Sequence, residues 1–196
     1  MNRSDTGIPE EVQIVEETIK EGVTRDGGAA FLVLYDFYFP RIYTYFRYRC
    51  TDLQTCDDLT AQTFEQALTH LDEYNFRRGP FSAWLFGIAR NAINGYYRRK
   101  LHFQWLPLDK LINLSWHGPL PEEQAIRDAE DHMLITAISR LSDRQRDLLA
   151  LKFSGRLNNR EIASLTGLSE QNVAVILHRA IRILRQWLSD EDENNV

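Results

Sequence analysis

Eight consecutive residues, Tyr74, Asn75, Phe76, Arg77, Arg78, Gly79, Pro80 and Phe81, combine three aromatic rings, two guanidinium groups and two backbone breakers. Aromatic faces stack on unpaired bases for about 1–3 kcal/mol each, and arginines neutralise phosphates, so this mixture suits single-stranded nucleic acid. Aromatic rings beside a turn are also common as core or capping residues, and composition alone favours that reading. Further cations follow at Arg90 and at Arg98, Arg99 and Lys100, with Asn91 between them. The three basic residues at 98–100 also suit a solvated helix end stabilised by its dipole. Trp84 is in register with Phe81 and Ile88 and reads as core before it reads as a base platform.

A second constellation lies near the other end. Asn158 with Glu161 is cap-like and precedes Ile162, Ala163, Gly167, Leu168, Val173, Ile176 and Leu177 at helix-turn-helix spacing. Ala163 is small where two helices meet, Gly167 permits a left-handed turn, and Val173 and Ile176 dock the second helix. Ser169 caps that helix. Its remaining residues, Glu170, Gln171, Asn172, Ala174, Val175, His178, Arg179 and Arg182, face solvent or a DNA major groove. His178 also suits simple packing.

These residues need helices to hold them. From Ala29 to Tyr48, after Gly27 and Gly28, Phe31, Leu34, Tyr35, Tyr38, Ile42, Tyr45 and Phe46 recur at helical steps, with Pro40 as a point of bending. Asp57 and Asp58 signal the start of a second helix, with Phe64, Ala67, Leu68 and Leu71 on one face and Gln62, Glu65, Gln66 and Thr69 on the other. A third helix is expected from about Pro80 to Lys100, with Phe81, Trp84, Leu85, Ile88 and Ala92 spaced for a core. Beyond a connector, Leu134, Ile138 and Leu141 form one amphipathic helix. Ser142 and Gln145 form a capping box opening another, which carries Leu148, Leu149, Leu151 and Phe153. No useful strand-like alternation occurs, so the fold is read as all-α: a small helical bundle and a helix-turn-helix unit joined by a linker.

Charge locates the boundaries. The chain of 196 residues has a net charge of −5, which by itself argues against a nucleic-acid binder. By segment, however, residues 1–28 carry −4, 29–100 carry +2, 101–132 carry −4, 133–188 carry +5 and 189–196 carry −4. Two neutral-to-basic domains are thus separated and flanked by acidic segments. In the linker, Pro107, Gly118, Pro119 and Pro121 interrupt periodicity. Phe103, Trp105, Leu106, Leu108, Leu111, Ile112, Leu114 and Trp116 are more apolar than a free tether needs, and suit either a groove on a partner or the chain's own domains. The acidic ends read as tails.

Several chemistries are not indicated. Cys50 and Cys56 lack CxxC spacing and read as small apolar residues, and the five histidines are scattered, so no metal or cofactor is assigned. No nucleophile with its base and no phosphate-cradling loop appears, so catalytic residues are assigned nowhere. The longest apolar run, Ala29 to Tyr35, is far short of the ~20 residues of a membrane span, and the acidic start is unlike a secretory signal. A cytoplasmic protein without membrane insertion is expected.

Both basic blocks, in this order, resemble the bacterial RNA polymerase sigma factors of the two-domain extracytoplasmic-function (ECF) type, over about residues 29–188. The resemblance rests on Asp58, Leu59, Thr63 and Phe64, then Phe76, Arg77 and Gly79, then "WLFGIARN", then Tyr97, Arg98 and Arg99. In the second domain it rests on Leu141, Arg144, Gln145, Arg146, Leu149 and Leu151, and on "REIASLTGLSEQNV" through "HRAIRIL".

This resemblance implies a region 2-like domain that docks on the polymerase clamp helices through Asp58, Gln62, Glu65 and Gln66. It implies that Tyr74, Phe76, Arg77, Arg78, Phe81, Trp84, Arg90, Asn91, Arg98, Arg99 and Lys100 hold the melted minus 10 strand. Tyr74, Phe76 and Phe81 would stack, and Asn91 with the 74–82 loop would receive a flipped base. It implies a region 4-like domain that reads the minus 35 duplex through Gln171, Asn172, Ala174, Val175, His178, Arg179 and Arg182. Contact with the polymerase flap and control by an anti-sigma factor are further implications. Ala174 and Ile176 stand where the family usually has basic residues. The rival classes are a conventional helix-turn-helix regulator acting on duplex operators without polymerase, and an adaptor that binds only protein.

Overall fold

The computed structural model describes residues 9, 12–14, 16–17, 27–103 and 133–194. The described residues are helical with short turns, as the 3.6-residue periodicity predicts. Helix α1 spans Gly27–Arg47, α2 Leu53–Thr69 and α3 Phe81–Phe103. Residues 133–139 form α4, followed by α5 (Asp143–Phe153), α6 (Asn159–Thr166) and α7 (Glu170–Asn194).

In the first domain, α1, α2 and α3 pack around Leu34, Tyr38, Ile42, Tyr45, Phe46, Phe64, Phe81, Leu85, Phe86 and Ile93, all buried. Four details differ from the sequence expectation. Helix α1 starts at Gly27, includes both glycines and runs through Pro40, whose carbonyl accepts from the Thr44 hydroxyl at 2.7 Å. Helix α2 begins four residues before Asp57, because Asp52 accepts from the Thr55 amide at 2.9 Å and caps it. Leu68 is exposed: Ala67 and Phe64 already fill the buried side, so Leu68 joins the outward face. Helix α3 continues to Phe103, into the segment assigned to the linker. The apolar linker residues from Trp105 to Trp116 lie outside the described residues.

In the second domain both sequence-read capping boxes are present. Ser142 and Gln145 close one at the start of α5, and Asn158 and Glu161 close the other at the start of α6. Each satisfies amide groups that a helix start leaves orphaned. Gly167 follows α6 at φ 72°, ψ 15°, a left-handed conformation in which its amide bonds the Ala163 carbonyl. Without a Cβ it turns the chain at little steric cost, and Ser169 then caps α7. Val173 and Leu177 are buried on the inner side of α7, whereas Ile176 is half-buried. Phe153, expected inside, is 55% exposed, because Leu148 and Leu151 occupy the buried side of α5. Helix α7 runs through 189–194, the acidic end.

Near the amino end, Val12 and Glu16 are buried, and the Tyr38 hydroxyl donates to Glu16 Oε1 at 2.7 Å. Burial and the Glu16 carboxylate push the Tyr38 phenol well above its usual range, keeping it a neutral donor. This part of the acidic segment is therefore built into the first domain.

Gly95 lies inside α3 with open space where a Cβ would be. Gly95→Ala should raise stability by about 0.5–1 kcal/mol in urea unfolding. Gly167→Ala should lower it by about 1–2 kcal/mol, since its left-handed φ is unfavourable for a residue with a Cβ.

Candidate nucleic-acid interface

The 74–84 segment is shaped by its own side chains. Asn75 Oδ1 accepts from the Arg77 amide at 2.9 Å, initiating a short 3₁₀ turn, Phe76–Arg78. The Tyr74 hydroxyl donates to the Gly79 carbonyl at 3.2 Å and ties the two ends of the loop together. Behind the loop, Tyr74, Phe81 and Trp84 form a three-ring cluster with centroids 5.3–5.4 Å apart, and Phe81 also meets Tyr38 at 5.5 Å.

These contacts divide the expected platforms. Phe76 is 46% exposed, with the Arg77 guanidinium 6.0 Å from its ring centre. Tyr74 and Trp84 are half-buried. Phe81 is 1% exposed, so its expected stacking role is corrected: both of its faces are committed to the core, where it anchors the loop. Arg77 and Arg78 are exposed, as are Arg98, Arg99 and Lys100 farther along α3, with Lys100 Nζ 5.7 Å from the Tyr96 ring centre. Asn91 is exposed, so satisfying a buried backbone group is not its task.

Arg90 is placed differently from its neighbours. Its Nε donates to Asp147 Oδ2 at 2.9 Å and its Nη1 to the Leu165 carbonyl at 3.0 Å, both in the second domain. Asp147 also pairs with Arg49 and accepts from the Tyr45 hydroxyl at 3.0 Å. Burial, and then the Asp147 carboxylate, push the Tyr45 phenol well upward, so it stays a donor. Arg41 adds bonds to the Ser154 and Gly155 carbonyls at 2.9 and 2.8 Å, where α5 ends. Sequence reading assigned no role to Asp147, Arg41 or Arg49. The available signal was an acid three and four residues before Ala150 and Leu151, on the buried side of α5.

On α2, Asp58 and Glu65 are exposed and Gln62 and Gln66 half-exposed along one stripe, with Leu68 beside Glu65. On α7, Gln171, Asn172, Ala174, Val175, His178, Arg179 and Arg182 are all exposed on one face. The structure therefore presents three separate outward surfaces: the α2 stripe, the 74–78 loop with the end of α3, and the α7 face.

Phe81→Ala should cost about 3–5 kcal/mol in urea unfolding, as expected for a buried ring. Phe76→Ala should change stability by less than about 0.5 kcal/mol.

Residues 34–102 match the family described as Sigma-70 region 2, and residues 131–184 match Sigma-70, region 4. The chain is 31% identical over 163 residues to RNA polymerase sigma factor YlaC of Bacillus subtilis, covering 82% of this chain and 92% of that protein. It is 28% identical over 162 residues to ECF RNA polymerase sigma factor BldN of Streptomyces coelicolor, a match that covers 83% of this chain and 61% of BldN. In fold it is similar to CnrH, solved in complex with the cytosolic domain of CnrY, with TM-score 0.62 and 21% identity over 92% of this chain and 99% of that one. A similar likeness, TM-score 0.62 at 18% identity over 81% and 96%, holds for RpoE of Bartonella quintana, solved with the anti-sigma factor NepR. With regions 2 and 4 in this order on the two domains described above, the chain belongs to the sigma-70 family of transcription initiation factors, as an RNA polymerase sigma factor of the ECF type.

Proposed function

We propose that this chain binds core RNA polymerase in the cytoplasm and brings it to promoters that it reads at two places. The first domain docks through Asp58, Gln62, Glu65 and Gln66 on the clamp helices of the largest subunit, with exposed Leu68 adding apolar area. The second domain contacts the polymerase flap. The protein directs the reaction and is not itself an enzyme.

The displaced minus 10 strand is held at the 74–84 loop. Phe76 supplies the exposed stacking face, Tyr74 and Trp84 supply ring edges, and Arg77, Arg78, Arg98, Arg99 and Lys100 neutralise phosphates. Asn91, exposed one turn beyond Gly87, accompanies the loop in receiving a flipped base, whose extraction costs a few kcal/mol that these contacts recover. The minus 35 element is read as duplex by the α7 face. Gln171 and Asn172, in its first turn, reach base edges, and His178 and Arg179 follow about two turns later and Arg182 about three.

The observation that carries this reading is the pairing of two exposed surfaces of different chemistry. One is an aromatic and arginine loop suited to unpaired bases. The other is a polar helix face, presented by the Gly167 turn, suited to a groove. Two short readings on one chain multiply specificity through effective concentration. Relatives of this fold are solved with an anti-sigma factor or the cytosolic domain of a partner, which supports a similar inhibitor here.

In vitro transcription from a set of the source genome's promoters, with core polymerase, should yield specific transcripts only when the chain is added. Tight operator binding without polymerase, and no new transcript, would favour a conventional regulator. Phe76→Ala or Asn91→Ala should reduce permanganate reactivity of the promoter while polymerase binding is retained. Arg179→Ala should weaken use of the upstream element by about 1–3 kcal/mol.

A further inference from the structure

Along the outer face of α7, Gln171, Ala174, Val175, His178 and Arg179 follow one another at three- and four-residue steps, and all are exposed. Val173, Leu177 and Ala180 hold the opposite side of the helix in the core. The Gly167 turn and the Ser169 cap, whose hydroxyl accepts from the Asn172 amide at 3.2 Å, fix where the helix starts. The outer face is therefore set before any ligand meets it.

Its centre is apolar. Val175 is 42% exposed and Ala174 is exposed beside it, whereas Val173 is fully buried. A single exposed valine is ordinary on a protein surface. This one stands one turn from Gln171 and one turn from Arg179, in the middle of a polar face. The residues around it narrow what that face reads. From Glu170 to His178 there is no Lys or Arg, so the bidentate cation contact that selects guanine is missing there. The Gln171 and Asn172 amides match the N6 and N7 groups of adenine. A polar base edge pressed against Val175 would lose water and gain no hydrogen bond, a cost that an apolar partner avoids. The apolar group that a base pair displays in the major groove is the thymine C5 methyl.

We infer that Val175, with Ala174 beside it, is a specificity residue of this face and selects a thymine through its methyl group. The upstream element then carries an A·T pair opposite Val175, next to the base pairs read by Gln171 and Asn172. The inference deepens the proposed function and rests on its assignment of the α7 face to the upstream duplex.

The test uses holoenzyme assembled from the full chain and core polymerase, on a promoter found by the transcription assay above. Each thymine of the upstream element is replaced in turn by uracil, which removes the methyl and keeps every hydrogen-bonding group. One replacement should weaken holoenzyme binding by about fourfold, the factor carried by one buried methyl-sized group. In Val175→Ala, an exposed substitution that leaves the fold intact, the same uracil should change binding by less than about twofold, because both changes remove one contact. Unchanged binding at every uracil, on a promoter whose upstream base pairs still matter, would overturn the inference and leave the duplex reading standing. So would an upstream element without an A·T pair, or a uracil effect that persists in Val175→Ala. Weaker association of Val175→Ala with core polymerase in the absence of DNA would mark Val175 as a protein contact and overturn the inference as well. If no base-pair change in the upstream element alters binding, the duplex reading of α7 itself fails, and the methyl contact with it.

Discussion

A single carboxylate sets the relation between the two halves of this molecule. Asp147 gives up its water to lie between Arg49, Arg90 and the Tyr45 hydroxyl, and its desolvation is repaid only because all three partners are in place. Tyr45 lies in the last turn of α1, Arg49 in the turn just after it and Arg90 on α3, so the carboxylate reads the relative position of those two helices as well as the position of α5. Apolar burial around Leu148 and Leu151 supplies attraction without direction. The ion cluster and the Arg41 bonds to Ser154 and Gly155 supply the direction, and they fix the angle at which α6 approaches Gly87.

The same economy of side chains shapes the 74–84 loop. Phe81 and Trp84 belong to α3 and are held by the core, and Tyr74 rests on both. That arrangement leaves Phe76, Arg77 and Arg78 on a short 3₁₀ turn whose shape depends on Asn75 and Tyr74 rather than on any partner. A surface organised before binding loses less entropy when a ligand arrives. In the second domain the equivalent preparation is the pair of capping boxes and the Gly167 turn, which fix α6 and α7 before DNA is met.

Part of the acidic amino-terminal segment belongs to the same assembly: Glu16 is buried against Tyr38, and Glu17 lines a cavity together with the 74–80 loop.

Helical period, capping residues and glycine placement are local properties, and for this reason the all-α class, both capping boxes, the Gly167 turn and the exposed face of α7 were legible in the chain itself. The family resemblance followed from the same short segments, and comparison with known proteins bears it out. Local signals misplaced the start of α2, because Asp52, Asp57 and Asp58 are equally good carboxylates and only the backbone geometry selects the one that caps. They also could not tell Phe76 from Phe81, since both rings flank one turn and only Phe81 is buried against Tyr38, far away in sequence. The meeting of Asp147 with Arg49 and Arg90 was invisible for the same reason: 98 and 57 residues separate the partners, and only the packing of α5 and α6 on the first domain brings them together.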